Sequence, residues 1–255
     1  QGIQPKISVN LNEKNQEFQI TESGGCYIVK SPVTDYPELP ENEDVTMDLA
    51  ELAGFEVPWH GLIIGADMRR SYIIQRFDRK GRKAKVPMED FAQLMGASRS
   101  TKYLATTERA AAVIEEFCTF PTLELLKFYR LLIFSFLVGN EDLHLKNFSL
   151  ITEPGKVRLS PAYDLVNSTI ALAAPKEELA LELKNKKHGF TRMDFLTYLG
   201  VHICMLPEKK ASKEIDLLLS HLPQWKAHVE TSFLSPDMKS AYTALLDARA
   251  EKIRA

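Results

Sequence analysis

The 255-residue chain has little of several things that would classify it quickly. It has only three cysteines, Cys26, Cys118 and Cys204, far apart and in no metal-ligand spacing. An odd, scattered set argues against a disulfide framework or a zinc site and suits reduced thiols of a cytosolic protein, packed as small apolar side chains. Charge imbalance is almost absent: 32 basic against 34 acidic side chains leave a formal net charge of −2. A global attraction to nucleic acid or anionic membrane is thereby excluded, and any basic site must be local. The most apolar run, "LLIFSFLVG" from Leu131 to Gly139, follows Lys127 and Arg130 and falls far short of the roughly 20 residues that a bilayer requires. It reads as a core helix. No secretory pattern opens the chain, so a cytoplasmic location is expected. Gln1 stands where an initiator Met would, and native residues are expected upstream.

Repeats and low-complexity tracts are also missing. With 45% hydrophobic and 26% charged residues, the composition is that of an ordinary globular chain, large enough for two packed lobes. The first third is rich in strand signals. "KISVNL" (Lys6 to Leu11), "EFQIT" (Glu17 to Thr21) and "CYIVK" (Cys26 to Lys30) are separated by "NEKN" and "ESGG", which predicts a three-stranded antiparallel meander. The breakers of "SPVTDYPELPENED" then precede "DVTMDLAELAG", where Val45, Leu49 and Leu52 recur at helical spacing and Gly54 ends the helix. "GLIIG" and "SYIIQRF" predict a hairpin, followed by a charged loop, "DRKGRKAK". From about Pro87 helices dominate: "MEDFAQLMG", "ERAAAVIEEFC", "TLELLKFYRLLIFSFLVG", "RMDFLTYLGV", "ASKEIDLLLSHL" and "SPDMKSAYTALLDARAEKI". One short strand pair, "NFSLIT" and "KVRLS", interrupts them. The expected fold is α+β, with a β-rich lobe over residues 1–78, a hinge near Asp78 and a mostly helical lobe over 79–255.

Against this outline one stretch stands out. "GNEDLHLKNFSLI" places Asn140, Asp142, His144, Lys146 and Asn147 directly behind the apolar helix, where a loop leaving the core can hold side chains rigidly beside a cleft. Asp142 and Asn147 are five residues apart, the interval between the catalytic Asp and the metal-binding Asn of protein-kinase catalytic loops. Asp164 in "LSPAYDL" returns a second carboxylate after the strand pair. Together they supply a base and hard oxygen ligands suited to Mg²⁺, and Lys30, ending a strand upstream, is placed as a phosphate-pairing Lys. Taken singly, Asp142 or Asn147 would serve as a cap, Asp164 as a turn residue and Lys30 as a surface charge. Their order along the chain favours the chemical reading. The glycine-rich loop that usually covers ATP phosphates is missing: Gly24 and Gly25 suit a hairpin turn, and only Gly2 remains of a possible phosphate loop. The basic loops "RKGRKAK" and "KNKKH" read as solvated faces, with substrate or nucleic-acid contact as the alternative.

The chain also resembles the HipA-like kinases of bacterial toxin–antitoxin systems. The matching segments are "GIQPKISV", "YIVKSP", "YPELPENED", "QRFDR", "MEDFAQLMG", "GNEDLHLKNFSLI", "LSPAYDL" and "LELKNKKHGFTRMDFL", in the family's order from Gly2 to Leu196. The resemblance implies a two-lobed kinase-like fold and Mg·ATP-dependent phosphorylation of Ser or Thr on a protein. It implies Asp142 as catalytic base, Asn147 and Asp164 as Mg²⁺ ligands, and Lys30 on the α/β-phosphates. It also implies the backbone of Gln75 and Phe77 on adenine and Asp78 on the ribose. Glu43 is the expected acid supporting Lys30, with Glu41 and Glu51 as rivals, and His144 and Lys146 would orient the loop or touch the γ-phosphate. The "QPK" segment is preceded in long members by an N-terminal subdomain. The chain therefore resembles either the short HipT-type members, whose subdomain is a separate HipS-like protein, or a trimmed long one. The implied partners are a HipB-type antitoxin and, as substrate, an aminoacyl-tRNA synthetase. Nucleic acid would be reached only through the antitoxin, and no membrane is involved. The implied autophosphorylation site is a Ser in the loop before Gln1. Two readings stand beside this one: a catalytically silent kinase-fold module that binds an antitoxin or represses transcription, and a small-molecule kinase.

Overall fold

The computed structural model describes residues 4–65, 67–81, 84–96, 106–172 and 177–254. Expectations resting on Gln1, Gly2 and the middle of "RKGRKAK" lie outside them.

Five antiparallel strands form the first layer: β1 (Lys6–Asn12), β2 (Glu17–Ile20), β3 (Tyr27–Lys30), β4 (His60–Ile64) and β5 (Arg70–Gln75). Their order, β2-β1-β3-β5-β4, corrects the expected meander, because β3 pairs with the far edge of β1 rather than with β2. Burial explains the difference. "EFQI" is largely exposed and suits an edge, whereas β3, with Val29 and Lys30 buried, takes the centre. The "GLIIG"/"SYIIQRF" hairpin forms as β4 and β5.

Helix α1 (Leu39–Leu52) packs on this sheet and starts earlier than its pattern predicts. Pro40 falls in the first turn, where its missing N–H is no loss, so "PENED" is helix rather than breaker. Glu41 and Glu43 are thereby helical. The charged loop after β5 forms the small antiparallel pair β6 (Arg79–Lys80) and β7 (Ala84–Lys85).

The "MEDFAQLMG" stretch is not one helix. Met88–Asp90 is strand β8, and Asp90 then caps the short α2 (Phe91–Leu94) through reciprocal bonds with Gln93 of 2.8 and 2.9 Å. Strand β8 joins the predicted pair β9 (Ser149–Glu153) and β10 (Lys156–Leu159) in a second sheet.

Helices α3 (Thr107–Phe117), α4 (Pro121–Val138), α5 (Ser168–Ala171), α6 (Glu208–Ser220), α7 (Leu222–Thr231) and α8 (Pro236–Arg254) complete the described fold, with a π-helical segment over Asp194–Ile203. The sequence gives no clear warning of α7, since Pro223 reads as a breaker. The proline again occupies the first turn, and Trp225 is fully buried with its ring 5.4 Å from that of Phe134.

The apolar run is a core helix as expected. Phe128, Tyr129, Ile133, Phe134, Phe136, Leu137 and Val138 of α4 are fully buried, each large apolar side chain contributing roughly 2 kcal/mol to burial. The same core reaches α1 and the face of β5 that carries Tyr72 and Ile74, while Ile73, pointing the other way, joins a small separate cluster with Val9 and Val29. No helix among the described residues is long and apolar enough to cross a membrane. Cys118 and Cys204 are buried, Cys26 is half-buried and all three are free thiols; burial pushes the Cys118 thiol up to about 12, which leaves it unreactive.

Candidate active site

The site forms where α4 stops. Gly139 takes a left-handed conformation (φ 71°), and Asn140 N–H donates back to the Ser135 carbonyl at 2.8 Å. Both features turn the chain out of the core. A Cβ on Gly139 would lie 2.8 Å from both Asn167 Oδ1 and Thr169 Oγ1, so any other residue would have to displace these side chains as well as adopt the left-handed backbone. The loop that follows is pinned at its root: Glu141 N–H donates to Ser168 Oγ at 2.7 Å, and Thr169 Oγ1 donates to the Gly139 carbonyl at 2.9 Å. Asp142 is exposed at its crest. Its backbone N–H donates to Asn140 Oδ1 at 3.1 Å, and its carbonyl accepts from His144 N–H at 2.8 Å and from Asn147 Nδ2 at 3.1 Å. The bond from Nδ2 fixes the Asn147 amide so that Oδ1 is its remaining acceptor. His144 and Asn147 are buried, and Lys146 is half-buried in the single 3₁₀ turn Leu145–Asn147.

Across from the loop, Lys30 at the end of β3 is buried and ion-paired to two carboxylates, Glu43 of α1 and Asp164. Of the three candidate acids, Glu43 is thus the one paired with Lys30. Of its rivals, Glu41 faces Arg70 at 3.5 Å and Glu51 is exposed. Lys6 lies opposite Lys30 in the β1–β3 register, with its Nζ 3.8 Å from Asp164. Burial opposes the charge on Lys30, but Asp164 and Glu43 outweigh it and hold the ammonium above its ordinary range. Burial likewise opposes the charge on Asp164, but Lys30 prevails, helped by Lys6 and His144, and the carboxyl sits well below the carboxylate range. About a third of the Asp164 side chain (34%) remains open to solvent. Glu43 shares its cation with Asp164, and burial pushes it up to about 7. Asp164 itself adopts φ 58°, uncommon for a non-glycine residue and a form of backbone strain that concentrates at functional sites.

The residues expected at the hinge lie at the end of β5 and just beyond it. Gln75 is exposed, and its N–H donates to the Trp59 carbonyl at 2.8 Å, so only its carbonyl is left for a ligand. The Phe77 amide has no acceptor among the described residues. The Asp78 carboxylate is gripped by Arg76 (2.9 and 2.7 Å) and by Arg79. Although burial raises it, these guanidinium groups keep its pKa low.

Some contributors were not legible in the sequence. Tyr163, just before Asp164, packs its ring 5.3 Å from that of Phe77, and its hydroxyl reaches the Lys146 carbonyl at 2.8 Å and Ser149 Oγ at 2.6 Å. It ties the segment after β5 to the loop. Asn42 of α1 bonds the backbone of Asn167 at both ends of its amide. Both residues, like Lys6, lie inside quoted segments, and their being polar among buried neighbours was the available signal.

A five-stranded sheet with one helix, a mostly helical remainder and a buried Lys–Glu–Asp constellation beside an Asp/Asn loop define a kinase-like fold. The family described as the HipA-like C-terminal domain matches residues 1–226. The protein named Putative kinase Y4dM of Sinorhizobium fredii is 35% identical over 215 residues, which is 78% of this chain and 52% of that protein. The serine/threonine-protein kinase toxin HipA of Shewanella oneidensis is 29% identical over 185 residues, 65% of this chain and 42% of that one. Among solved structures, the Shewanella oneidensis HipA in complex with HipB and operator DNA superposes with a TM-score of 0.85 at 24% identity, covering 100% of this chain and 64% of that chain. The Helicobacter pylori proinflammatory kinase CtkA gives 0.68 at 16%, covering 97% and 87%. At these identities the structures establish the fold. The chain belongs to the HipA-like family, and it spans about half the length of the relatives it matches.

Proposed function

We propose that the chain is the catalytic part of an Mg·ATP-dependent protein Ser/Thr kinase, acting as the toxin of a HipA/HipT-type toxin–antitoxin system. The observation that carries this reading is Lys30 held between Glu43 and Asp164, with His144 of the loop that carries Asp142 and Asn147 near enough to act on the Asp164 charge. The donor set fits the cofactors. Asn147 Oδ1 and the Asp164 carboxylate are hard oxygens that would hold Mg²⁺, which when bound neutralises phosphate charge. Lys30, kept cationic, would pair with the α/β-phosphates, with Lys6 beside it. The Lys30–Asp164 contact would be exchanged for these interactions. Exposed Asp142 would orient the substrate hydroxyl and accept its proton. The Phe77 amide and Gln75 carbonyl are free to meet adenine. Asp78 would meet the ribose only through lone pairs that Arg76 and Arg79 leave over. His144 and Lys146 would hold the loop's shape.

The division at Asp78 into a nucleotide-binding lobe (1–78) and a catalytic lobe (79–255) belongs to the same reading. So do the partners: an aminoacyl-tRNA synthetase as substrate, a HipB-type antitoxin and a HipS-like protein. The named complex of HipA with HipB supports the antitoxin. The test is transfer of labelled γ-phosphate from ATP onto itself and onto lysate proteins, with the labelled species identified by mass spectrometry. Label on a synthetase that disappears with Asp142→Asn supports the whole reading. Antitoxin binding without any transfer would favour the silent module, and label confined to small metabolites would favour the small-molecule kinase.

A further inference from the structure

Away from Lys30, α1 carries a second polar face. Asp44, Asp48 and Glu51 recur along it at helical spacing, and beside them stand His60, the first residue of β4, and His228 of α7. The His60 side chain is only 5% exposed, and its Nδ1 has no hydrogen-bond partner. Instead the ring lies between two carboxylates, with Nδ1 3.6 Å from Asp44 Oδ1 and Nε2 3.8 Å from Asp48 Oδ1. Both distances are too long for hydrogen bonds. A buried imidazole aimed at carboxylates without bonding them is costly unless something else satisfies it. One ligand atom each from Asp48, Glu51 and His60 lie within 4.8 Å of one another.

We propose that Asp48, Glu51 and His60 bind a divalent transition-metal ion of the Zn²⁺ type. One imidazole with two carboxylates is a nitrogen–oxygen set that suits Zn²⁺ better than Mg²⁺, which favours oxygen alone. Metal–ligand bonds of about 2.0–2.1 Å put tetrahedral ligand atoms roughly 3.3 Å apart. The His60–Asp48 pair therefore needs to close by only about half an ångström, and exposed Glu51 is free to move further. Three protein ligands leave a position for water. Part of the surroundings suits a metal ligand: Asp44 lies on the Nδ1 side of the ring at 3.6 Å while Nε2 faces Asp48, and His228 Nε2 lies 2.8 Å from Asp48 Oδ2, engaging the other carboxylate oxygen. A bound ion would offset the repulsion among three carboxylates on one helix face. It would also fasten α1, the carrier of Glu43, to the sheet that carries Lys30.

The test uses the full chain, freed of metal by chelator and titrated with Co²⁺ in millimolar Mg²⁺, then with Zn²⁺ in competition. Visible Co²⁺ bands report the site, and thermal unfolding reports its coupling to the fold. One ion per chain is expected, with a rise in Tm on Zn²⁺ addition. Affinity should fall about 10-fold or more in both His60→Gln and Glu51→Gln, while Asp164→Asn, which alters the proposed nucleotide site, should keep it. Should His60→Gln fail to fold, Glu51→Gln at its exposed position decides alone. Absence of an ion, loss confined to Asp164→Asn, or a thiolate charge-transfer band from the cysteines would overturn the assignment.

Discussion

Asn42 and Asn167, 125 residues apart, exchange two buried hydrogen bonds: Asn42 Nδ2 donates to the Asn167 carbonyl at 3.0 Å, and Asn167 N–H donates to Asn42 Oδ1 at 2.8 Å. One amide thus does for the Asp164 segment what a neighbouring strand would do, and it sits one residue before Glu43. The helix that supplies the acid for Lys30 is thereby fixed to the chain that supplies Asp164. Thr46, one turn further along, repeats the tie with a contact of 2.9 Å to the hydroxyl of Tyr242 in α8.

Replacing Asn42 by Ala should therefore cost more than a surface change. Two buried backbone groups of Asn167 lose their partner, which amounts to about 2–3 kcal/mol, and the register between Glu43 and Asp164 loosens. Urea unfolding measures the first effect and phosphoryl transfer the second. Loss of stability without any loss of transfer would make Asn42 a packing residue only.

Asp142 and Asp164 should separate chemistry from binding. Asp142→Asn is expected to leave nucleotide affinity within a few-fold and to lower transfer by about 10²-fold or more, because the loss falls on positioning and proton acceptance. Asp164→Asn should weaken Mg²⁺-dependent ATP binding itself. It also removes one of the two charges that hold Lys30. Calorimetric titration with and without Mg²⁺ distinguishes the two variants, and equal losses of affinity would make Asp142 a structural residue.

Part of this arrangement was legible: the interval between Asp142 and Asn147 can be read from spacing, whereas Asp164 and Lys30 join them only through their order along the chain and the family resemblance. What could not be read was set by tertiary burial. The edge position of β2 follows from its exposure and not from its alternation, which is as good as that of β1. Prolines Pro40 and Pro223 look like breakers until their place in a first turn is known. Asp90 belongs to a strand end and a cap at once, so a helical pattern ran through it. Among the three acids near Lys30, composition gave no choice; the phase of α1, which starts at Leu39, selects Glu43 and turns Glu41 toward Arg70.

Glu43 gives stability a pH dependence of defined sign. Its folded pKa, about 7, lies above the ordinary 4.5, so the folded state binds its proton more tightly than the unfolded chain. The contribution is complete below about 4.5 and is lost as pH rises through about 7. Relative to Glu43→Gln, the protein should lose on the order of 2 kcal/mol between pH 5 and pH 8. Parallel denaturation series at the two pH values measure this difference of differences. A difference that stays constant, or a wild-type protein that gains stability relative to Glu43→Gln between pH 5 and pH 8, would mean that Glu43 remains ionised beside Lys30 throughout.

The corner at Gly139 tests whether the loop is held by conformation or by space. Gly81 (φ 66°), Gly155 (φ 74°) and Gly139 (φ 71°) are among the glycines with a left-handed backbone. Around the first two, an added Cβ meets nothing within 4 Å, so alanine there costs only the conformational part, about 1 kcal/mol. At Gly139 the same methyl would press on Leu245 of α8 and come within 2.8 Å of Asn167 Oδ1 and Thr169 Oγ1. Crowding of that kind adds about 1–3 kcal/mol. Because Asn167 and Thr169 brace the root of the loop, the strain should reach Asp142 as well. Gly139→Ala is expected to unfold at distinctly lower urea than Gly81→Ala or Gly155→Ala, and to transfer phosphate more slowly even where it is fully folded. Equal destabilisation of all three variants would show that α8 yields to the methyl and that only the backbone angle matters.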